Sequence, residues 1–508
     1  MQRRRDFLLS RATWRSPAVF FATATAFVVH ACALKVVMSS PPAGESSSAA
    51  SATAAPSIPT TAGVVSSVSS SNSAAKGVID GFAPRKYSAP WWAKNDHFST
   101  IFGSGEIQKR FGVKGPEVVY RRERWNTPDG DFLDVDFLDT PGGPAGGGLG
   151  GSGRQGAPQE RQQGAPPAGG GGRLAAVATG AAPGGVVNGE RGDEGGTAAA
   201  TTPAGDRAVG FEGAVGGGTG GVDASTAPFA VLTHGLESTS TAPLTAKMAL
   251  AYQRKGFRVA VMCFRSCSGE DNLTLRAYHL GFTEDLELVC KTLRARHPNS
   301  PLFLSGFSLG GNVITKFLGE LGDRARDMGI MGGAVTCVPF DAVSCQQRVD
   351  TGFGKIVYAK NFLNSLIPKM MRKSLTDPRV AEVIDLKRLQ KITTIGEFDD
   401  MVIAPVFGFD DYQDYYRKTQ SGQFLKGVRV PFLAVQAIND PFMDPAKLPT
   451  LDDLEGAPVR LSYHEHGGHC AFLTDSQEEN DKGWLATEMA RFGDHVHRLS
   501  RTGPPTED

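Results

Sequence analysis

The chain has no excess of charge of either sign: 53 Lys and Arg offset 53 Asp and Glu, for a formal net charge of zero. A protein that grips a polyanion carries a basic surplus, so nucleic acid is not expected as a partner. Cysteine is sparse, and none of the seven, at positions 32, 263, 267, 290, 337, 345 and 470, forms a C-x-x-C pair. An odd, scattered set of this kind, six of them in or beside apolar runs, reads as buried thiols rather than a disulfide framework or a zinc site. The match to G-x-G-x-x-G at Gly216, Gly218 and Gly221, inside the Gly-rich stretch, lacks the flanking strand and helix that a dinucleotide site needs. No motif asks for a metal or an organic cofactor.

Acidic residues are nearly missing from the N-terminus, where Glu45 alone stands between Asp6 and Asp80. Arg3, Arg4, Arg5, Arg11 and Arg15 precede the uncharged stretch Ser16 to Leu34, largely Ala, Val and Phe. That stretch just reaches the ~20 residues of a membrane span. Three readings of residues 1–38 stay open: a signal anchor with its basic end in the cytosol, a signal peptide cleaved at Ala31-Cys32-Ala33, or an organelle transit sequence such as one for a plastid. The anchor, which makes the chain membrane-associated, is the leading one.

Glycine is abundant but local, since residues 141–227 hold 29 of the 62. Such a segment cannot bury enough apolar surface to offset its chain entropy and is expected to be a disordered insert. The Ser- and Ala-rich residues 39–86 are expected to be a disordered linker. What can pack is 87–140 together with 228–499, enough for one large core.

In that packed region Asn126 to Gly130 reads as a turn, and Phe132 to Leu138 as a strand pairing in a hairpin with Glu117 to Arg121. Beyond the insert, strand-like runs alternate with helical ones. The strand-like runs are Phe229 to Thr233, Phe257 to Phe264, Leu302 to Leu304, Gly332 to Val338, Phe432 to Ala437 and Val459 to Tyr463. The helical patterns include Thr245 to Arg254, Thr283 to Arg296 and Asn312 to Glu320. This alternation predicts an α/β fold, a mostly parallel sheet with helices on both faces. It stops at about 339–430, where Lys355 to Met371 and Asp411 to Lys418 read as helices of a cap inserted over an active site.

Gly306-Phe307-Ser308-Leu309-Gly310 lies between the strand Leu302 to Leu304 and the helix from Asn312. Glycines on either side of a serine permit the sharp strand-to-helix turn that exposes a weak hydroxyl nucleophile over the sheet. Such a serine needs a histidine base and an acid, in the chain order Ser, Asp or Glu, His. His464 and His466 continue the last strand, and His495 and His497 fall in a terminal helical segment. His469, just past Gly467-Gly468, is the expected base. Asp440, at the end of the preceding strand, is the expected acid, with Asp444 as its rival. The oxyanion donors are expected to be the N–H groups of Leu309 and of Leu236 in His234-Gly235-Leu236, with His234 as structural support for that loop.

Taken together these residues resemble the α/β-hydrolase superfamily, subfamily four, which groups bacterial YheT-type, plant embryogenesis-associated and animal membrane-anchored hydrolases. The resemblance spans about Trp91 to Trp484 outside the insert. It rests on Asn95 to Ile101, Pro128 to Phe132, His234-Gly235-Leu236-Glu237, Phe264-Arg265 with Cys267 to Glu270, Gly306 to Asn312, Asn439-Asp440-Pro441 and Gly467-Gly468-His469. It implies the α/β-hydrolase fold, Ser308, Asp440 and His469 as the triad, Glu397 to Asp400 in the cap, and the strands ending near Asp139 and starting near Pro228 as sheet neighbours. Ser266 stands where the family has glycine, Phe98-Ser99 where it has Leu-Gln, and Cys470 where valine is common; these bear on loop shape and substrate fit. The H-x-x-x-x-D pattern tied to acyltransferase activity in related hydrolases matches none of the ten histidines. The expected function is that of a serine esterase acting on an acyl ester, a lipid such as a monoacylglycerol or phospholipid. A thioesterase or amidase with the same triad, or a catalytically silent binding protein on the same fold, are the alternatives.

Overall fold

The computed structural model describes residues 70–103, 115–138 and 226–502. The targeting segment expected at 1–38 and nearly all of the Gly-rich insert lie outside these residues. Among the described residues no helix is long and apolar enough to cross a membrane. The linker expected over 39–86 needs correction at its C-terminal end. Ser70–Asp80 form a helix (α1), and Ile79 and Phe82 are buried in the core. The Arg85 guanidinium is held at 2.9 Å by both Glu488 and Glu479. The Ser/Ala bias hid these few anchors, each of which buries enough to fix the chain around it. A second short helix, α2 (Asp96–Gly103), follows.

Eight strands make one sheet: β1 (Arg121–Asn126), β2 (Phe132–Leu138), β3 (Phe229–Thr233), β4 (Arg258–Cys263), β5 (Leu302–Phe307), β6 (Ile330–Thr336), β7 (Phe432–Ala437) and β8 (Val459–His464). Their order is β1-β2-β4-β3-β5-β6-β7-β8. The β1–β2 and β2–β4 pairs are antiparallel and the other pairs parallel. The hairpin partner of β2 is therefore Arg121–Asn126 and not the expected Glu117 to Arg121. The strand Arg-Arg-Glu-Arg-Trp-Asn carries charge where an apolar pattern was sought. Its arginines fork onto carboxylates of β2, Arg122 onto Asp136 and Arg124 onto Asp134, each directly opposite in register. The strands flanking the insert are not neighbours either, because β4 pairs with both. Val259 faces Leu138 on one side and Ala230 on the other, which sets the two ends of the insert about 10 Å apart, two strand spacings.

Strands β3, β4, β5 and β7 are near-continuous apolar runs, as expected of parallel strands covered on both faces. Alternate residues go to opposite faces: Phe229 and Val231 join one core cluster, Ala230 and Leu232 the other. Helices α3 (Pro243–Gln253), α4 (Glu284–Arg296) and α5 (Leu309–Leu321) follow strands β3, β4 and β5. Between β6 and β7 comes the cap, with α6 (Ala342–Asp350), α7 (Lys360–Thr376) and α8 (Tyr412–Thr419) as its longer helices. Two single π-helical turns, Lys355–Ala359 and Asp399–Ile403, interrupt it. The chain ends on α9 (Trp484–Thr502), whose Met489 and Phe492 share a core cluster with Met248 and Tyr252 of α3.

The motifs outside the catalytic turn find a structural use. Arg265, at the end of β4 and almost fully buried, is bound by Asp129 and Asp131 of the β1–β2 turn and by Asp285 of α4. Asp131 in turn accepts from Asn272, Leu273 and Thr274, and Asn272 accepts from the buried Lys373 of α7 at 2.6 Å. A buried charge left unpaired is expensive, so this network joins turn, loop, helix and cap into one unit.

Candidate active site

Every residue singled out for chemistry lies at the carboxyl end of a parallel strand, the end where open α/β sheets place ligands. Ser308 follows β5 directly and has φ 54° and ψ −127°, a backbone region that a non-glycine residue occupies only when its surroundings hold it there. Its N–H donates to Thr336 O at 2.9 Å, and its carbonyl accepts from Asn312 N–H at 3.0 Å. The flanking glycines have a steric reason. A Cβ on Gly306 would lie 2.2 Å from Thr233 Oγ1, and one on Gly310 would lie 2.4 Å from His234 O. The turn thus presses against the end of β3, a position open only to residues without a side chain.

The structure brings Ser308, His469 and Asp440 together. His469 Nε2 lies 3.1 Å from Ser308 Oγ, and His469 Nδ1 lies 2.8 Å from Asp440 Oδ2. A carboxylate only accepts, so Nδ1 carries the proton and Nε2 offers its lone pair to the serine hydroxyl. Burial pulls the imidazole pKa down, but the charge and hydrogen bond of Asp440 outweigh it and leave the value raised. Asp440 is buried, and its other oxygen accepts from Phe442 N–H at 2.9 Å. Asp444 lies apart from this chain of contacts and accepts from Ala446 N–H to start a short 3₁₀ turn. His464 packs against Trp484 and Phe472, and His466 faces the adjacent Glu465.

Leu236 and Leu309 line the cavity beside Ser308. Leu309 opens α5, where the first N–H groups have no intrahelical acceptor. Gly235 brings the β3 loop close, since a Cβ there would sit 3.2 Å from Ser308 Cβ. His234 supports this loop: its Nε2 accepts from Phe264 N–H at 3.2 Å, which leaves Nδ1–H to donate to Gly235 O at 2.9 Å. Burial lowers its pKa to about 4, so it stays neutral.

Several residues at the site had no role assigned to them from the sequence, although Thr100 and Glu237 fall within motifs quoted there. Thr100 of α2 accepts the His469 backbone N–H at 2.9 Å, which gives Asn95 to Ile101 a positioning role. The Phe442 ring stacks on the His469 imidazole at 4.1 Å between centroids. Glu237, next to Leu236 and at φ 55°, accepts from Lys369 at 2.7 Å and Ser365 at 2.6 Å of α7, and from Tyr278 at 2.8 Å. The loop carrying Leu236 is thereby tied to the cap. These contacts join positions from 27 to 369 residues apart, and no local spacing announces them.

Above Ser308 the cap roofs a cavity of about 1140 Å³ of non-atom space, part of it open to solvent. Leu366 and Met370 of α7, Phe398, Val402, Val406 and Phe407 are among its walls, so the lining is mostly apolar. Asp399 also faces it, buried, with its carboxyl pushed up to about 7 by burial while it accepts the Tyr416 hydroxyl.

A mostly parallel sheet with a serine on a strained strand-to-helix turn, a histidine and an aspartate in chain order and a helical cap defines a hydrolase of the α/β class. A protein-family profile described as the alpha/beta hydrolase fold matches residues 231–476. YheT of Escherichia coli (strain K12), whose name assigns it provisionally to the esterases, is 34% identical over 248 residues, 48% of this chain and 71% of that protein. Phospholipase ABHD3 of Mus musculus is 29% identical over 254 residues, 50% of this chain and 60% of its own. Monoacylglycerol lipase of Saccharomyces cerevisiae is 29% identical over 272 residues, 52% and 58% respectively. The chain belongs to the α/β-hydrolase superfamily and resembles these members, spanning about three fifths of the latter two.

Proposed function

We propose that this protein is a serine carboxylic ester hydrolase that cleaves acyl chains from lipids, a monoacylglycerol or a phospholipid, through Ser308, His469 and Asp440. The observation that carries the reading is the hydrogen-bonded relay from Asp440 through His469 to Ser308, 2.8 and 3.1 Å long, at the floor of an apolar cavity. In the reaction His469 Nε2 takes the Ser308 proton as Oγ attacks the ester carbonyl, and the N–H groups of Leu236 and Leu309 receive the oxyanion. The alcohol leaves with the proton from His469, giving an acyl-serine. Water, deprotonated by the same imidazole, then releases the fatty acid and restores the hydroxyl. Apolar walls contributed by the cap favour a hydrocarbon acyl chain over a polar one.

The test is Ser308→Ala. Esterase turnover and labelling by a fluorophosphonate probe are expected to vanish while the thermal melt stays unchanged. Wild-type turnover in that variant would refute the assignment. A panel of esters, thioesters and amides of equal acyl length, run on the wild type, distinguishes the ester reading from thioesterase and amidase chemistry. We further propose that Ser16 to Leu34 anchor the chain to the membrane that holds its substrate. Alkaline carbonate washing is expected to leave the full-length chain in the membrane pellet and to release a chain lacking residues 1–38; release of the full-length chain would favour a cleaved organelle or secretory sequence instead.

A further inference from the structure

The esterase reading gives no role to two thiols beside the histidine. Cys337 is the residue after β6 and fully buried; Cys470 follows His469 directly and is half-buried. Both have positive φ, 50° and 62°, which turns their side chains out of the regular strand and loop paths. Cys337 Sγ accepts the Cys470 backbone N–H at 3.1 Å and the Thr336 hydroxyl lies 3.4 Å from it. The two Sγ atoms and an imidazole nitrogen of His469 all lie within 4.8 Å of one another. Among the described residues this is the one group of three such donors.

We propose that Cys337, Cys470 and His469 form an inhibitory site for a thiophilic divalent cation, of which Zn²⁺ is the best match. Two sulfurs and an imidazole are donors that zinc takes at about 2.3 and 2.0–2.1 Å. A tetrahedral ion at those lengths sets its donors about 3.5–3.8 Å apart, so the donors close by about 1 Å, within reach of side-chain rotation. The fourth position is left to water or to the Ser308 hydroxyl. The two thiol protons leave to solvent as the sulfurs bind. The consequence follows from which nitrogen is used. Metal on Nε2 removes the lone pair that accepts the serine proton, and metal on Nδ1 displaces Asp440. Either way the base is lost, and a chelator restores it. A hard cation such as Mg²⁺, which prefers oxygen donors, is not bound.

The inhibition half rests on His469 being the base, whereas the binding half does not, and the experiment separates them. Cys470→Val removes one donor with a side chain about one methyl group larger and alters no group assigned to catalysis. In the full-length protein, kept reduced with a phosphine, micromolar Zn²⁺ is expected to suppress ester turnover reversibly with EDTA, and Cys470→Val to need at least tenfold more Zn²⁺ for the same effect. Inhibition of both proteins at the same Zn²⁺ concentration overturns the site. Binding is read without turnover in the Ser308→Ala background, where Co²⁺ is expected to give thiolate-to-cobalt charge-transfer absorption that the added Cys470→Val change removes. Absorption that is missing from Ser308→Ala, or that survives Cys470→Val, also overturns it. Thiolate absorption with turnover unaffected by bound metal instead upholds the site and refutes His469 as the base.

Discussion

Asp399 offers a stability test that needs no substrate. Its carboxyl lies in the cap at the start of a π-helical turn, 8% exposed, with the Tyr416 hydroxyl as its hydrogen-bond donor. Burial raises its pKa from the usual 3.8 to about 7, the Tyr416 hydrogen bond opposes the rise, and the Asp350 charge adds to it. Because the folded value is the higher one, the folded state keeps a proton that the unfolded chain gives up. The stability so contributed is complete below about pH 3.8 and is lost as pH climbs to about 7. At roughly 1.4 kcal/mol per pH unit, the interval from 3.8 to about 7 sets a ceiling of about 4 kcal/mol. Asp399→Asn keeps an acceptor for Tyr416 and removes the ionisation. Urea unfolding at pH 4.5, 6 and 8 at fixed ionic strength is therefore expected to show the variant gaining on the wild type with rising pH, by about 1.4 kcal/mol per unit, and levelling off beyond pH 7. A difference that is constant across the three pH values would refute the assignment of a buried, protonated carboxyl.

Two further outcomes are expected. Since the His469 pKa is raised above its ordinary 6.5 and its neutral form is the proposed base, kcat/KM should fall as pH drops through a midpoint above 6.5; Asp440→Asn should lower that midpoint and reduce turnover by up to about 10⁴, and an unmoved midpoint would show that Asp440 does not set it. Replacing residues 141–225 with a Gly-Ser linker of about ten residues should leave ester turnover intact and raise stability by about 2 kcal/mol at most, because closure entropy scales as about (3/2)RT ln n. Such a linker reaches ~30 Å when extended, ample for a ~10 Å gap. Lost turnover with an unchanged melt would assign the insert to the active site, and a collapsed melt would assign it to the core.

The central strands and the strand-to-helix turn at Ser308 were legible because local chemistry dictates them. Buried parallel strands must be apolar on both faces, and a serine at φ 54° over a crowded strand end must be flanked by glycine. Chain order and the Gly-Gly bend then led to His469, and the end of β7 to Asp440. β1 was misplaced because its fitness for the sheet lies in Arg122 and Arg124 meeting Asp136 and Asp134 across the register, a property of two segments and not of one. The same reason hid Thr100, Phe442 and Glu237, whose roles arise only once distant segments meet. α1 went unseen because Ile79, Phe82 and Arg85 are a minority within a polar, small-residue stretch.

The sheet has two rims with different histories open to them. Ser308, Asp440, His469 and Leu236 all sit at the rim where the parallel strands end, while Leu138 and Phe229, the last and first strand residues around the insert, sit at the rim where those strands begin. Sequence added between β2 and β3 therefore leaves the protein on the side away from the chemistry. The 29 glycines across residues 141–227 thus enter and leave the fold at one rim, while at the other a methyl group added to Gly306 or Gly310 would meet the end of β3.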